Sequence, residues 1–227
     1  MAADRRRRAE PPRDCPLCPR LVAYREANRR RHPEWHNAPV PSFGDPAAAL
    51  LIVGLAPGVA GANRTGRPFT GDYAGEILYP ALLRHGFARG RYEARPDDGL
   101  ELTGCRITNA LRCVPPRNKP TAEEIAACRA YLREELLVAP RPRLVLSLGR
   151  IAHDSVLRVF GCRLHDFAFG HDRSHRLPDG TLLVSSYHCS RYNVNTGRLT
   201  VAMFDAVMRR VVALLGEMAG PRPVHPS

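Results

Sequence analysis

The chain has 227 residues, 44% of them hydrophobic, which suits a single globular domain with one large core. No apolar run approaches the roughly 20 residues that a membrane-spanning helix needs, so we expect no membrane contact. Arginines at positions 5–8 have no apolar stretch after them, so we expect no secretory signal and a bacterial-type cytoplasmic location. The formal net charge of +12 favours a polyanionic partner, because neutralised phosphates release counterions.

Arginine supplies almost all of the positive charge, and Lys119 is the only lysine. The planar guanidinium forms bidentate contacts with phosphate and stacks on bases. A bias in genome composition also explains the choice of arginine over lysine, but it does not explain the net surplus of basic residues.

The chain is expected to form one domain over residues 15–218. Residues 1–14 are charged and contain prolines, so we expect a disordered basic arm, and residues 219–227 are expected to be a flexible tail. No internal repeat is visible. Nothing in the sequence indicates an oligomer, and we expect a monomer.

The predicted elements alternate strands with helices. Four short apolar runs predict buried strands, over residues 49–54, 105–110, 144–149 and 181–187. Amphipathic patterns predict helices over residues 21–30, 76–84, 121–137, 151–160 and 199–215. The third of these helices opens with a capping box from Thr121 to Glu124. This alternation predicts an α/β fold with a largely parallel sheet.

Polar segments follow three of the predicted strands. They cover residues 54–58, 108–113 and 188–190. Ligands of an open parallel sheet bind beyond the carboxyl ends of its strands, so we expect these segments to meet at one crevice. The chemistry of the protein should therefore take place there.

Seven cysteines without a secretory signal favour metal binding over disulfides. Cys15 and Cys18 form a Cys-x2-Cys pair, and Cys113 and Cys128 supply two more thiols from a distant segment. Four thiolates can hold a four-iron cluster or a tetrahedral zinc ion, and the spacing alone does not separate these metals. The alternative is that Cys113 and Cys128 are buried core thiols. The cysteines expected to be free are Cys105, Cys162 and Cys189.

Two segments of the crevice carry residues suited to a flat ligand. The turn from Gly54 to Gly58 has a glycine at each end, which lets the backbone approach a ligand closely. Residues 65–72 include Phe69, which can stack on a base, and the carboxylate of Asp72. The alternative for this segment is an ordinary loop in which Asp72 caps the following helix.

Asn109 and His188 end two of the predicted strands. The amide of Asn109 can both donate to and accept from the edge of a nucleobase, although a turn asparagine is the alternative. His188 precedes a polar, arginine-bearing segment, which favours work near phosphate over a purely structural role. The polar residues of that segment are Ser190, Arg191, Asn193, Asn195, Thr196 and Arg198.

Together these motifs resemble the uracil-DNA glycosylase superfamily, in its iron–sulfur branches and most closely its family 5 (type b). The resemblance covers residues 15–203 and rests on the order and spacing of the motifs. They are Cys15-x2-Cys18, Gly54-Leu-Ala-Pro-Gly58, Asn63-Arg-Thr-Gly-Arg-Pro-Phe-Thr-Gly-Asp72, Thr108-Asn-Ala-Leu-Arg-Cys113, Cys128 and His188-x-Ser190. The resemblance implies three layers, with a central four-stranded, largely parallel sheet and helices on both faces. Leu55 stands where the related family 4 enzymes carry a glutamate.

The resemblance also implies an activity, a cofactor and site residues. The activity is hydrolysis of the N-glycosidic bond of uracil, and of other deaminated or damaged bases such as hypoxanthine, in double-stranded DNA. The enzyme would be a monofunctional repair enzyme that leaves an abasic site. The cofactor is a [4Fe-4S] cluster on Cys15, Cys18, Cys113 and Cys128. The expected base-binding residues are Gly54, Leu55, Ala56, Gly58, Phe69, Asn109 and His188. The expected DNA-binding residues are Arg64, Ser190, Arg191, Asn195 and Arg198.

Three residues are expected to be catalytic. Asn109 would bond the Watson–Crick edge of a base flipped out of the duplex, and Phe69 would stack on that base. His188 would stabilise the charge that develops on the base O2 atom, helped by backbone N–H groups of the 54–58 turn. Asp72 would orient water or steady the sugar cation.

Two other classes of protein compete with this interpretation. A zinc deaminase is disfavoured, because the sequence lacks the His-x-Glu and Pro-Cys-x-x-Cys pair of motifs. A non-catalytic, basic, metal-stapled nucleic-acid-binding module would explain the charge and the cysteines. It would not explain the polar segments that follow the strands.

Overall fold

A computed structural model describes residues 10–138 and 140–219. Its strands are β1 (Phe43–Gly44), β2 (Leu50–Gly54), β3 (Ala88–Arg89), β4 (Glu101–Leu102), β5 (Cys105–Asn109), β6 (Leu144–Leu148), β7 (Arg173–Arg176) and β8 (Leu182–Ser186). Its α-helices are α1 (Pro19–Arg31), α2 (Ala62–Thr65), α3 (Tyr73–Arg84), α4 (Ala122–Leu137), α5 (Arg150–Val159), α6 (Arg191–Asn195) and α7 (Val201–Ala219). Within this part of the chain, no helix combines the length and apolar character needed to cross a membrane.

The central sheet has the strand order β1-β5-β2-β6-β8-β7. Its four inner strands run parallel, and they are the four strands that the apolar runs predict. The two outer strands, β1 and β7, pair antiparallel with their neighbours. The prediction of a four-stranded sheet was therefore wrong, because the sheet has two additional strands at its edges. Edge strands need no apolar run, since one side of each stays unpaired: β1 has only two residues, and β7 reads Arg-Ser-His-Arg.

Helices cover both faces of the sheet, as the three-layer prediction requires. Along β2, Leu50 and Ile52 pack on one face with α3 and α7, whereas Leu51 and Val53 pack on the other with α4 and α5. This alternation follows from the two-residue period of a strand. Each of these four side chains is at most 2% exposed, and burying one such side chain contributes roughly 1.5–3 kcal/mol.

The five long predicted helices are all present, with small shifts at their ends. The third, α4, begins at the predicted capping box: Thr121 accepts the N–H of Glu124, and the Glu124 carboxylate accepts the N–H of Thr121 at 2.9 Å. The first, α1, is held against the body by Leu21, which packs with Leu111 and Cys128. This contact brings the first cysteine pair close to the second.

A buried network of charged side chains ties the N-terminal segment to the sheet. The carboxylate of Glu135, on α4, accepts from Ser42, Arg106 and Arg112. Glu10 bonds the same two arginines, at 3.1 Å and 2.8 Å. Glu10 lies inside the predicted arm of residues 1–14, so that end of the arm is anchored. Residues 1–9 and 220–227, which make up most of the predicted arm and tail, lie outside the described residues.

Replacing Glu135 by glutamine tests how much this network contributes to the stability of the fold. The substitution keeps the size of the side chain but removes a buried negative charge shared by Arg106 and Arg112. We expect the free energy of unfolding in urea to fall by about 3 kcal/mol, the scale of breaking a buried ion pair. The matched control is Glu134→Gln on the same helix, with an expected change within about 0.5 kcal/mol. Equal losses in the two variants would contradict a stabilising role of the network.

Candidate active site

A pocket of about 440 Å³ opens where the carboxyl ends of β2, β5 and β8 come together. It lies where the polar segments after the strands predicted a crevice. The predicted residues that line it are Leu55, Ala56, Gly58, Phe69, Asp72, Asn109, His188, Ser190 and Arg191. The sheet therefore gathers residues that are more than 130 positions apart in the sequence.

Gly54 lies directly beneath this lining. A side chain at position 54 would collide with Oδ1 of Asn109 and with the ring of Phe69. The next turn glycine, Gly58, uses its N–H to bond the carboxylate of Asp72.

Asp72 holds its carboxylate against the neighbouring backbone. It occupies the N-cap position of α3, but its side chain makes no capping hydrogen bond. The carboxylate instead accepts the N–H of Ala62, at 3.2 Å, and that of Gly58. A side chain at Gly58 or at Gly61 would overlap this carboxylate. Burial raises the pKa of Asp72, although the two N–H groups and Arg64 oppose the rise.

Phe69 presents its ring to the pocket from an unusual backbone conformation. Its φ of +58° lies in the left-handed region, which is costly for a bulky residue and marks strain. The hydroxyl of Tyr92 donates to the Phe69 carbonyl at 3.5 Å, and that of Tyr79 donates to the Pro68 carbonyl. Two tyrosines from outside the loop therefore hold this stretch of backbone in place.

A buried ion pair supports the same two tyrosines. Arg67 bonds Asp98 with two parallel contacts of 2.8 Å, and both side chains are almost completely buried. The guanidinium carbon of Arg67 lies 5.4 Å from the Tyr79 ring centre and 6.0 Å from that of Tyr92. Cation–π contacts of this kind fix the rings that hold Phe69.

Asn109 contributes an unused hydrogen-bond acceptor. It ends β5 and is 3% exposed. Its Oδ1 atom is buried and has no hydrogen-bond partner within the described part of the chain. Leaving such a group unpaired costs about 1–3 kcal/mol, so the pocket gains when a ligand supplies a donor.

His188 follows β8 and faces Phe69, with ring centroids 6.2 Å apart. Burial lowers the pKa of His188 to about 4, so the imidazole is neutral at physiological pH. Asn193 holds the segment in place by donating to the His188 carbonyl at 2.9 Å. A neutral imidazole offers one N–H donor and one acceptor.

The rim includes residues that the sequence did not single out. Tyr73 and Ala74 line the pocket from the start of α3, and Asn118 lines it from the opposite loop. Arg117 and Asn118 both have positive φ angles, of 56° and 55°. The Pro115-Pro116 turn before them signals a break in regular structure, but nothing in the sequence shows that the loop returns to the pocket.

Three of the expected DNA-binding residues lie outside the pocket lining. Arg64 donates to the Ala60 carbonyl at 2.7 Å. Asn195 is exposed at the end of α6, and Arg198 lies over the ring of Tyr187. By contrast Arg191 lies at the rim, with its guanidinium 5.2 Å from the Tyr73 ring centre. Tyr192 beside it is 72% exposed.

The four expected metal ligands line a second, small cavity: they are Cys15, Cys18, Cys113 and Cys128. Among the described residues, no group of three or more cysteine, histidine or acidic side chains is arranged to hold a metal ion. Cys105, Cys162 and Cys189 do not line this cavity.

Hydrogen-bond donors surround the cysteine cavity. Arg25 is 4% exposed and directs Nη1 at the Cys113 sulfur, at 4.0 Å. The buried Nε of Arg25 has no partner among the residues that the structure describes. Burial raises the pKa of the Cys113 thiol to about 12 and that of the Cys128 thiol to about 11. At physiological pH these buried thiols lose their protons only when a positively charged group binds the sulfurs. The hydrogen-bond donors around the cavity suit the negative charge that the thiolates then carry.

Comparison with known proteins places this geometry in a family. The sequence model of the Uracil DNA glycosylase superfamily matches residues 41–217. The chain is 48% identical to a type-5 uracil-DNA glycosylase of Thermus thermophilus, over 89% of this chain and 94% of that protein. It is 44% identical to the type-5 enzyme of Pyrobaculum aerophilum, over 89% and 90%. Identity to the type-4 enzyme of P. aerophilum is 35%, over 66% and 63%. The chain belongs to the uracil DNA glycosylase superfamily, and it is more similar to these type-5 relatives than to the type-4 relative.

Proposed function

We propose that the protein excises uracil from DNA by hydrolysing the N-glycosidic bond, and that it leaves an abasic site. The observation that carries this proposal is the pocket lined by Phe69, Asn109 and His188, whose asparagine has a buried, unpaired Oδ1 atom. The names of the type-5 relatives support the same activity.

The pocket suits a base that has left the duplex. Uracil carries an N–H donor between two carbonyl groups, and this donor matches the free acceptor of Asn109. The ring of Phe69 offers a flat surface on which the base stacks. Hypoxanthine also presents an N–H beside a carbonyl, so we include it as a second substrate. The base must first be flipped out, at a cost of a few kcal/mol.

His188 acts as a neutral donor. As the glycosidic bond breaks, negative charge develops on the base, and an N–H of the imidazole stabilises it at the O2 atom. A donor that is already fixed in a desolvated wall needs little reorganisation during the reaction.

Asp72 acts on the sugar side of the reaction. Two backbone N–H groups fix its carboxylate at the pocket wall. From there the carboxylate orients the attacking water or stabilises the positive charge on the sugar. Leu55 brings no carboxylate to the pocket, which leaves Asp72 as the only acidic side chain among the lining residues that the structure describes.

The segment after His188 grips the DNA. Ser190 and Arg191 lie at the pocket rim, and Tyr192 projects into solvent beside them. Arg64, Asn195 and Arg198 extend the same role around the pocket. Guanidinium and hydroxyl groups contact phosphates, and the exposed tyrosine fills the space that the flipped base vacates. The substrate in this proposal is double-stranded DNA, bound by a monomer in the bacterial cytoplasm.

We place a [4Fe-4S] cluster in the cysteine cavity, because four cysteines line it and buried N–H donors face two of their sulfurs. Each cysteine of such a cluster binds a different iron atom, so the four sulfurs surround a larger volume than the ligands of one metal ion. We propose Cys15, Cys18, Cys113 and Cys128 as the ligands. Bound there, a cluster would join α1 to the loop after β5 and to α4, which is a structural role.

The direct test is single-turnover cleavage of a duplex that carries one uracil, followed by alkali to reveal the abasic site. We expect a break at the uracil position and none in a matched thymine duplex. Hypoxanthine and damaged cytosines extend the panel. Protein that binds the duplex but releases no base from any panel member would favour the non-catalytic nucleic-acid-binding alternative.

Replacing His188 tests its role as a neutral donor. We expect His188→Ala to slow single-turnover cleavage about a hundredfold, the scale of losing one such donor. His188→Gln, which keeps an N–H donor, should lose less. Since the pKa of His188 is depressed to about 4, the imidazole stays neutral above about pH 5, and the parental rate should not follow its titration from there to pH 8. A tenfold fall per pH unit in that range would instead indicate a cationic histidine.

Replacing one cysteine tests the cluster. We expect Cys18→Ser to lose the visible absorbance and the iron of the purified protein, because one ligand is removed. The control is Cys162→Ser, whose thiol lies outside the cavity, and which should stay brown. A colourless parental protein, or equal iron content in both variants, would reject the cluster.

A further inference from the structure

Two exposed arginines near the pocket lie over aromatic rings. The guanidinium carbon of Arg150 lies 5.1 Å from the ring centre of Phe169, and that of Arg198 lies 4.6 Å from the ring centre of Tyr187. The rings of Phe169 and Tyr187 are 6.1 Å apart, and His171 stacks on Tyr187 at 5.1 Å. These five side chains form one continuous surface, which we call the arginine shelf.

The arginine shelf adjoins the active-site pocket. Tyr187 immediately precedes His188 in the chain. Arg150 begins α5 directly after Gly149, and a side chain on Gly149 would press against Cβ of His188. The shelf therefore continues the pocket wall outward from β8 and from the start of α5.

The charge of the shelf is available to a partner. Both arginines are exposed, and within residues 10–138 and 140–219 no carboxylate pairs with either of them. The nearest acidic residue in the chain to His171 is Asp172, and its carboxylate faces Nε of Arg210 at 3.0 Å. The shelf is thus a basic surface, and the acidic residue next to it in the chain, Asp172, already pairs with Arg210.

The geometry favours phosphate over bases as the ligand. The guanidinium groups cover the faces of Phe169 and Tyr187, so a base cannot stack there. The N–H groups at the edges of the guanidiniums remain free to bond phosphate oxygens. A cation–π contact also limits the motion of each arginine before binding, which reduces the entropy lost when a phosphate is bound.

We propose that the arginine shelf is a second DNA-contacting surface, which holds backbone phosphates of the duplex beyond the flipped nucleotide. Arg150 is the residue that this proposal adds, and Arg198 joins it to the rim of the pocket. The proposal rests on the proposed function only in taking DNA as the substrate. Its consequence is that affinity depends on duplex length as well as on the damaged base.

The test measures binding without cleavage. Fluorescence anisotropy would follow the full chain on duplexes with a stable abasic analogue, at several salt concentrations. One duplex is long, with about 20 base pairs, and the other ends just beyond the analogue on the side of the shelf. We expect Arg150→Gln to lower the slope of log affinity against log salt by about 1 on the long duplex. On the short duplex the variant should bind as the parent does.

Two further variants separate charge from position. Arg150→Lys keeps the charge and should keep the salt slope. Arg158→Gln removes an exposed charge at the far end of the same helix and should match the parent on both duplexes. An unchanged slope in Arg150→Gln, or an equal loss on the short and long duplexes, would overturn the proposal. Because the abasic analogue carries no base to release, these measurements report binding alone. A result that contradicts DNA contact by the shelf can therefore be told apart from a loss of catalysis.

Discussion

The pocket depends on the register of four parallel strands. Gly54 pairs with Asn109, and Leu148 pairs with Ser186, so the strands end at one level of the sheet. After each strand, the chain continues into a different loop at the same edge of the sheet. Asn109, His188 and the 54–58 turn meet because of this shared level, although long stretches of sequence separate them. A one-residue slip of β5 would turn Asn109 to the opposite face.

The polar groups of the pocket are left ready for a ligand. Asn109 keeps a buried, unpaired Oδ1, and His188 stays neutral because its wall is desolvated. Phe69 is held in a strained conformation by Tyr79 and Tyr92. The rest of the fold offsets these costs, and in the proposed function the pairing of Asn109 with a base would recover one of them. A preorganised site of this kind stabilises developing charge without first rearranging.

The sequence predicted the parts of the protein that local pattern controls. Apolar runs located the inner strands, and the capping box located the start of α4. The edge strand β7 was missed, because its pairing depends on β8 and its residues are polar. The Arg67–Asp98 pair spans 31 positions, and Asn118 reaches the pocket only through the path of its loop. The neutral state of His188 likewise follows from packing, which no spacing of residues reveals.

In the proposed function, the Asn109 acceptor would pair with the N–H of the base. The most direct measurement compares free uracil with 3-methyluracil as inhibitors of uracil release from DNA. The methyl group removes the donor and leaves both carbonyl groups in place. We expect uracil to inhibit and 3-methyluracil to be at least about tenfold weaker, since one buried pairing is worth about 1–3 kcal/mol. Equal inhibition by the two compounds would contradict it.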